Sequence, residues 1–162
     1  MDITIEKLNP GDINKFTELI RLFEDVFEMK NFKMPGEIYL QQLLQKDDFF
    51  VFVALLNNKV VGGLTSYIMQ QYYSTSPLVY IFDLAVKREY QFKGIGKKLI
   101  AGNNTYCKEI GAEAVMVQAD EADDYAIKFY HSTGATAEKV IHFDYPFERL
   151  KYLAACDNKQ NV

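Results

Sequence analysis

The chain has 162 residues, 49% hydrophobic and 25% charged, with a formal net charge of −4 at neutral pH. That length suits one domain able to bury its own core, and the composition excludes a disordered or fibrous protein. No apolar run approaches the roughly 20 residues of a membrane span, and 18 basic against 22 acidic residues offer no basic patch for nucleic acid. A cationic small molecule is the expected partner, with neither nucleic acid nor membrane. The first six residues carry neither the basic region nor the apolar run of a secretory signal, which predicts a cytoplasmic protein. Cys107 and Cys156 match no metal spacing or redox motif and read as two free thiols.

In chain order, residues 2–6 alternate polar and apolar and predict a first strand. Pro10-Gly11-Asp12 supplies a turn and an N-cap. Ile13, Phe16, Ile20, Phe23 and Phe27 then recur at spacings of three and four, the pattern of one buried helical face. A shorter helix is expected over 36–45, carrying Ile38, Leu43 and Leu44. A strand over 49–55 leads to Asn57-Asn58, two residues that tolerate positive φ and so suit a type I′ turn into a returning strand over 59–70. Residues 72–77 read as a loop, and 79–86 as a nearly continuous apolar strand broken by one charge, Asp83. A helix over 96–110 stops at Gly111, and a buried strand follows over 114–118. A helix over 124–132 ends before Gly134, and 140–145 reads as a last strand. The order is β-α-α-β-β-β-α-β-α-β in one domain over 1–150, with the polar stretch 151–162 as a disordered tail.

Gln91-Phe92-Lys93-Gly94-Ile95-Gly96-Lys97 lies between the apolar strand and a helix start. Glycines there let the backbone approach a ligand, and the amides and dipole of a helix N-terminus favour phosphate, with Lys93, Lys97 and Lys98 adding charge. An ordinary tight strand-to-helix turn is the alternative. The dinucleotide fingerprint is excluded because Leu99 stands where its third glycine belongs, and the P-loop because Lys98 stands where its Ser or Thr belongs.

Gln-x-x-Gly-x-Gly after Asp83-Leu84-Ala85-Val86 resembles the acetyl-CoA loop of the GCN5-related N-acetyltransferase (GNAT) superfamily, and the element order agrees. The resemblance implies an α/β (α+β) fold with a mixed, mostly antiparallel sheet splayed near Val86, and acetyl-CoA as cosubstrate with no metal. It implies that the amides of Phe92, Lys93, Gly94, Ile95, Gly96 and Lys97 hold the pyrophosphate, with Gln91 in the same motif. The backbone of Leu84, Ala85 and Val86 would pair with the pantetheine arm. Asp123, Ala126 and Tyr130 correspond to a second signature, with Asp123 replacing the usual asparagine. The segments 80–86, 117–120, 123–124 and 142–144 together look like the aminoglycoside 3-N-acetyltransferases of that superfamily. The acceptor implied is the 3-amino group of a 2-deoxystreptamine antibiotic, in a resistance enzyme. A homodimer is left open.

Acetyl transfer needs a neutral amine, a polarised carbonyl and a proton for the departing thiolate. Asp83, a charge inside an apolar run, suits a general base if burial raises its pKa; a structural aspartate is the alternative. The Leu84 N–H would polarise the carbonyl. Tyr130 suits a general acid, or is a half-buried core tyrosine. Asp120, Glu121, Asp123 and Asp124 put four carboxylates in five positions, where a solvated loop with an N-cap competes with attraction of a polycation. Asp144, two residues after His142, would complete that acidic wall. Glu24 and Glu28 read as a solvated helix face. Transfer to another cationic amine (a polyamine or a protein N-terminus) and acetyl-CoA sensing without turnover remain the rival functions.

Overall fold

The computed structural model describes residues 2–147; the expected tail over 151–162 and Cys156 lie outside them. The elements are β1 (Thr4–Lys7), α1 (Ile13–Val26), α2 (Glu37–Leu44), β2 (Phe49–Leu56), β3 (Lys59–Met69), β4 (Leu78–Val86), α3 (Ile95–Glu109), β5 (Ala114–Val117) and α4 (Asp124–Ser132), with a 3₁₀ turn Arg88–Tyr90 before α3. One five-stranded sheet runs β1-β2-β3-β4-β5, antiparallel except for the parallel pair β4–β5. Asn57 and Asn58 both adopt positive φ (50° and 61°), as the tight β2–β3 turn requires.

The unbroken apolar run of β2 follows from burial on both faces. Its odd residues Phe49, Val51, Val53 and Leu55 join Phe16, Leu19, Leu22 and Phe23 of α1 and Leu40 and Leu44 of α2. Its even residues Phe50, Phe52 and Ala54 join Leu99, Ile100 and Cys107 of α3. Ile38 is 75% exposed, so α2 buries the Leu40–Leu44 stripe instead. Asp12 occupies the N-cap position of α1, but its carboxylate accepts from the Asn9 N–H behind it at 2.8 Å. Burial pushes the Cys107 thiol up to about 11, so it is inert.

Two irregularities in β4 shape the open end of the sheet. Thr65 pairs with Asp83 and Ser66 with Ile81, so Phe82 is an extra residue, a bulge. Pairing with β5 covers only Leu78–Ile81 against Ala114–Val117. The sheet therefore splays between β4 and β5, and the opening begins just past Ile81, five residues before the expected point at Val86. The buried Ser66 Oγ donates to Asn103 Oδ1 at 2.9 Å and ties this part of β3 to α3.

The strand expected over 140–145 is absent from the described residues. Its alternating pattern suits a strand, but no ladder pairs it here, and Ile141, Phe143 and Tyr145 are all more than three-quarters exposed. A period-two pattern alone does not hold a strand without a hydrogen-bonded neighbour. Among the described residues no helix is long and apolar enough to cross a membrane.

Gly63 is required by close approach: a Cβ there would lie 2.6 Å from Leu19 Cδ1 and 2.7 Å from the Phe52 carbonyl oxygen. Gly63→Ala is expected to lift α1 off the sheet and cost about 1–3 kcal/mol. Urea unfolding measures it, and an unchanged midpoint would mean that α1 yields freely.

Candidate active site

The bulge resets the alternation of β4. Val79 and Ile81 face α3, as do Leu84 and Val86 beyond the bulge, whereas Ala85 faces α1. Phe82 and Asp83 between them share the α1 face. The Phe82 ring meets Tyr67 at 5.7 Å and Tyr80 at 6.4 Å, both edge-to-face. Desolvation raises the Tyr67 and Tyr80 phenols, and the Asp83 charge adds to the rise in both. Asp83 is half-buried beside these rings, not enclosed in the core as its apolar run implied.

Backbone direction in β4 is fixed by one bond. The Lys87 N–H donates to the Val61 carbonyl at 2.9 Å, so groups of odd-numbered residues in this stretch face β3. Those of Leu84 and Val86 face the other way, into the gap left by β5. Ala85 is turned to β3 and its side chain is buried, which removes it from the expected pairing set. Gln91 Nε2 donates to the Val86 carbonyl at 3.1 Å; its side chain pins the glycine loop to the end of β4.

Within that loop, Phe92 and Gly94 both take left-handed backbone, φ 58° and 79°. Residues of this kind curl successive amides toward one side, a concavity suited to an anion. Gly94 is the N-cap of α3, no side chain caps the helix and no acidic residue stands in its first turn. The first intrahelical bond recorded there is Lys98 N–H to the Gly94 carbonyl, so the amides of Ile95, Gly96 and Lys97 precede the ladder. The two glycines act differently. A Cβ on Gly94 meets nothing within 4 Å, whereas one on Gly96 would lie 2.9 Å from the Phe129 ring, so Gly96 serves the packing of α3 on α4. Ile95 is buried, and Lys97 and Lys98 are exposed. The Lys93 ammonium is turned back to the Glu89 carbonyl at 2.8 Å and over the Tyr90 ring.

Asp123 caps α4: its Oδ1 accepts from the Ala126 N–H at 2.9 Å, the structural role open to it from its place in the chain. Asp120 Oδ1 accepts from the Ala122 N–H at 2.9 Å. Glu121 reaches Lys139 only at 3.9 Å, with both side chains over 90% exposed. Asp124 stands exposed in the first turn of α4. Asp144 pairs with His142 at 2.9 Å on an exposed segment. The expected acidic wall is thus a set of carboxylates with local partners. Glu24 and Glu28 form surface ion pairs with Arg21 and Arg88. Tyr130 differs. Burial pushes its phenol up to about 12, with Asp123, Tyr80 and Asp83 adding to the effect, so it links the α4 side of the gap to Asp83.

The candidate site therefore combines an amide-lined slot beside Leu84 and Val86, a curled loop at 92–97 that opens the uncapped start of α3, and a carboxylate among aromatic rings. These fit a ligand with a pyrophosphate at one end and an extended amide arm at the other. Among the described residues no group of three or more His, Cys, Asp or Glu could hold a metal ion. Sequence reading missed Tyr67, Tyr80 and Phe82, because apolar residues in an apolar strand give no sign of a bulge.

A mixed sheet parted between its last two strands, with a glycine-opened helix beyond it, agrees with the acetyltransferase fold that the family resemblance implied. The model of the acetyltransferase (GNAT) family matches residues 16–135, and the chain belongs to that family. An aminoglycoside acetyltransferase from an uncultured soil metagenomic sample, solved in complex with trehalose, is 56% identical with a TM-score of 0.88, over 90% of this chain and 97% of that one. The same acetyltransferase in complex with sisomicin gives 55% identity and the same TM-score and coverage. A second soil metagenomic aminoglycoside acetyltransferase is 31% identical with a TM-score of 0.86, over 91% of this chain and all of that one. N-alpha-acetyltransferase 30 of Schizosaccharomyces pombe is 30% identical over 95 residues, 57% of this chain and 61% of that protein's length.

The Tyr130 shift has a signed consequence. Below pH 10 the phenol is neutral in folded and unfolded chains alike; between about 10 and 12 only the unfolded chain ionises, so stability falls across that window. Tyr130→Phe is expected to remove this component, up to about 3 kcal/mol for a shift of about two units at about 1.36 kcal/mol per unit. Denaturant unfolding of both proteins at several alkaline pH values measures it, and parallel curves would place Tyr130 in water.

Proposed function

We propose that this chain is an acetyl-CoA-dependent N-acetyltransferase whose acceptor is the 3-amino group of a 2-deoxystreptamine aminoglycoside, a resistance activity carried by one cytoplasmic domain over 1–150. The observation that carries this reading is the 56% identity, over nearly the whole of both chains, to an aminoglycoside acetyltransferase. The slot beside Asp83 supports it chemically.

Acetyl-CoA, when bound, supplies the activated acetyl thioester. The amides at 92–97 hold its pyrophosphate, and the backbone of Leu84 and Val86 lies along its arm. The Leu84 N–H polarises the thioester carbonyl in this reading. Asp83 takes the ammonium proton of the acceptor, directly or through water, so that the amine attacks neutral in a ternary complex. None of these residues is a cysteine, and no acetyl-enzyme step is invoked. Tyr130 keeps its proton when it faces a thiolate: a phenol near 12 is a weaker acid than a thiol near 8.5. It therefore stabilises the sulfur by donating a hydrogen bond; of the two protons the ammonium sheds on becoming an amide, one passes through Asp83 to solvent and the other, released from the attacking nitrogen, ends on the departing thiolate. The acidic loop at 120–124 and Asp144 act at longer range, by attracting a polycation.

The kinship with N-alpha-acetyltransferase 30 favours a second reading, a protein N-terminus as acceptor. Thiol release with gentamicin-type aminoglycosides, polyamines and N-terminal peptides side by side separates the two, and an absence of release with every amine leaves acetyl-CoA sensing.

Two variants test the site. Gly94→Val forces a branched side chain into left-handed backbone and is expected to weaken acetyl-CoA binding at least about tenfold. Calorimetry on the folded variant checks it; unchanged affinity places the pyrophosphate elsewhere. Asp83→Asn is expected to lower kcat by about 10²-fold, with part of the loss recovered as pH rises and alkali supplies neutral amine. A rise in KM alone, without recovery, would make Asp83 a binding group.

A further inference from the structure

Phe82 is a large apolar side chain in the middle of β4, yet it is 52% exposed. Leaving such a ring in water forgoes the burial that its neighbours Ile81 and Ala85 obtain. It is exposed because the bulge turns it, together with Asp83, onto the α1 face of the sheet. Its orientation is set by edge-to-face contacts with Tyr67 and Tyr80. Tyr67 is itself packed on Phe49 at 5.0 Å, and Phe49 on Phe16 at 6.0 Å, so the array runs back into the core and does not swing freely. Tyr80 is held at its far end, where its hydroxyl donates to Gln118 Oε1 at 3.0 Å. The result is a fixed aromatic plate immediately beside a half-buried carboxylate.

Resting on the acceptor reading proposed for this chain, we propose that Phe82, supported by Tyr67 and Tyr80, is a specificity platform that stacks against the apolar C–H face of an amino-sugar ring whose ammonium group is taken by Asp83. The two neighbours divide the recognition. A carboxylate alone attracts any cation and cannot separate an aminoglycoside from a polyamine. A flat ring next to it selects a cation mounted on a rigid, flat-faced ring, because an acyclic chain has no such face to present. The π-face also attracts the ammonium group itself, which adds to both classes of amine alike. Discrimination therefore resides in Phe82, and attraction in Asp83.

The test is calorimetric titration of wild type, Phe82→Ala, Phe82→Leu and Phe82→Tyr with sisomicin and with spermidine, together with thiol release from acetyl-CoA by the wild type. Phe82→Ala is expected to weaken sisomicin about tenfold and spermidine less than threefold. Phe82→Leu, which keeps apolar bulk without a flat face, should resemble the alanine variant, and Phe82→Tyr should resemble wild type. Equal losses for both amines, no loss for either, or full function in Phe82→Leu would overturn the platform. Sisomicin bound through Phe82 but never acetylated sustains the platform and removes the aminoglycoside acetyltransferase reading. Sisomicin acetylated by the wild type, with undiminished affinity in Phe82→Ala, does the reverse. No binding of sisomicin by the wild type removes both.

Discussion

One inserted residue governs this molecule. The extra position at Phe82 makes β4 change the faces that its side chains occupy, and it falls just where β4 loses β5 as a neighbour. A regular strand would have continued the alternation of Val79 and Ile81 and sent Asp83 toward α3, into the apolar cluster. With the bulge, Asp83 shares the opposite face with Phe82 while Leu84 and Val86 return to the α3 side. The strand bends, the ladder to β5 ends, and the amides of two consecutive even residues are left facing a slot. Placement of the carboxylate and opening of the slot thus have a single cause.

The second requirement is a glycine loop whose position relative to that slot is stable. Gln91 fastens the loop to the last carbonyl of β4, and the left-handed residues Phe92 and Gly94 curl it into the uncapped start of α3. The body of α3 is tied to β3 beside the bulge through Ser66 and Asn103, both fully buried. Such a hydrogen bond contributes only about 1 kcal/mol net, but losing one partner strands a buried polar group at a cost of about 1–3 kcal/mol. The pair therefore resists any sliding of α3 along β3, and the bulge and the glycine loop keep a constant separation.

Charge is distributed with the same economy. The carboxylates at 120, 123 and 144 are occupied by a turn, a helix cap and a histidine, and Glu121 stands almost fully in water. Asp83 differs in its surroundings: three tyrosines lie close enough to feel its charge. Tyr130, on the far side of the gap, is the one most shielded from water, which holds it in the donor form across the whole physiological range.

Much of this was legible in the chain itself. Periodicity located α1 within a few residues, Gly111 and Gly134 marked the ends of α3 and α4, Asn57-Asn58 announced the hairpin by their tolerance of positive φ, and the Gln91–Gly96 spacing marked the glycine loop before α3, because each depends on local conformation. The alternation over 140–145 misled for the complementary reason: a strand is completed by its neighbour, which no local pattern supplies. The division of labour between Gly94 and Gly96 was equally hidden, since it depends on Phe129 arriving from α4, whereas the capping of α4 by Asp123 was one of the two readings its place in the chain offered. The sequence by itself determined the order of the helices and strands, the β2–β3 hairpin and the glycine loop before α3, because these follow from local conformation and periodicity. Only tertiary structure decided which face Asp83 and Phe82 share, because that depends on the register of β4 against β3, which around the bulge pairs residues 15 or more positions apart.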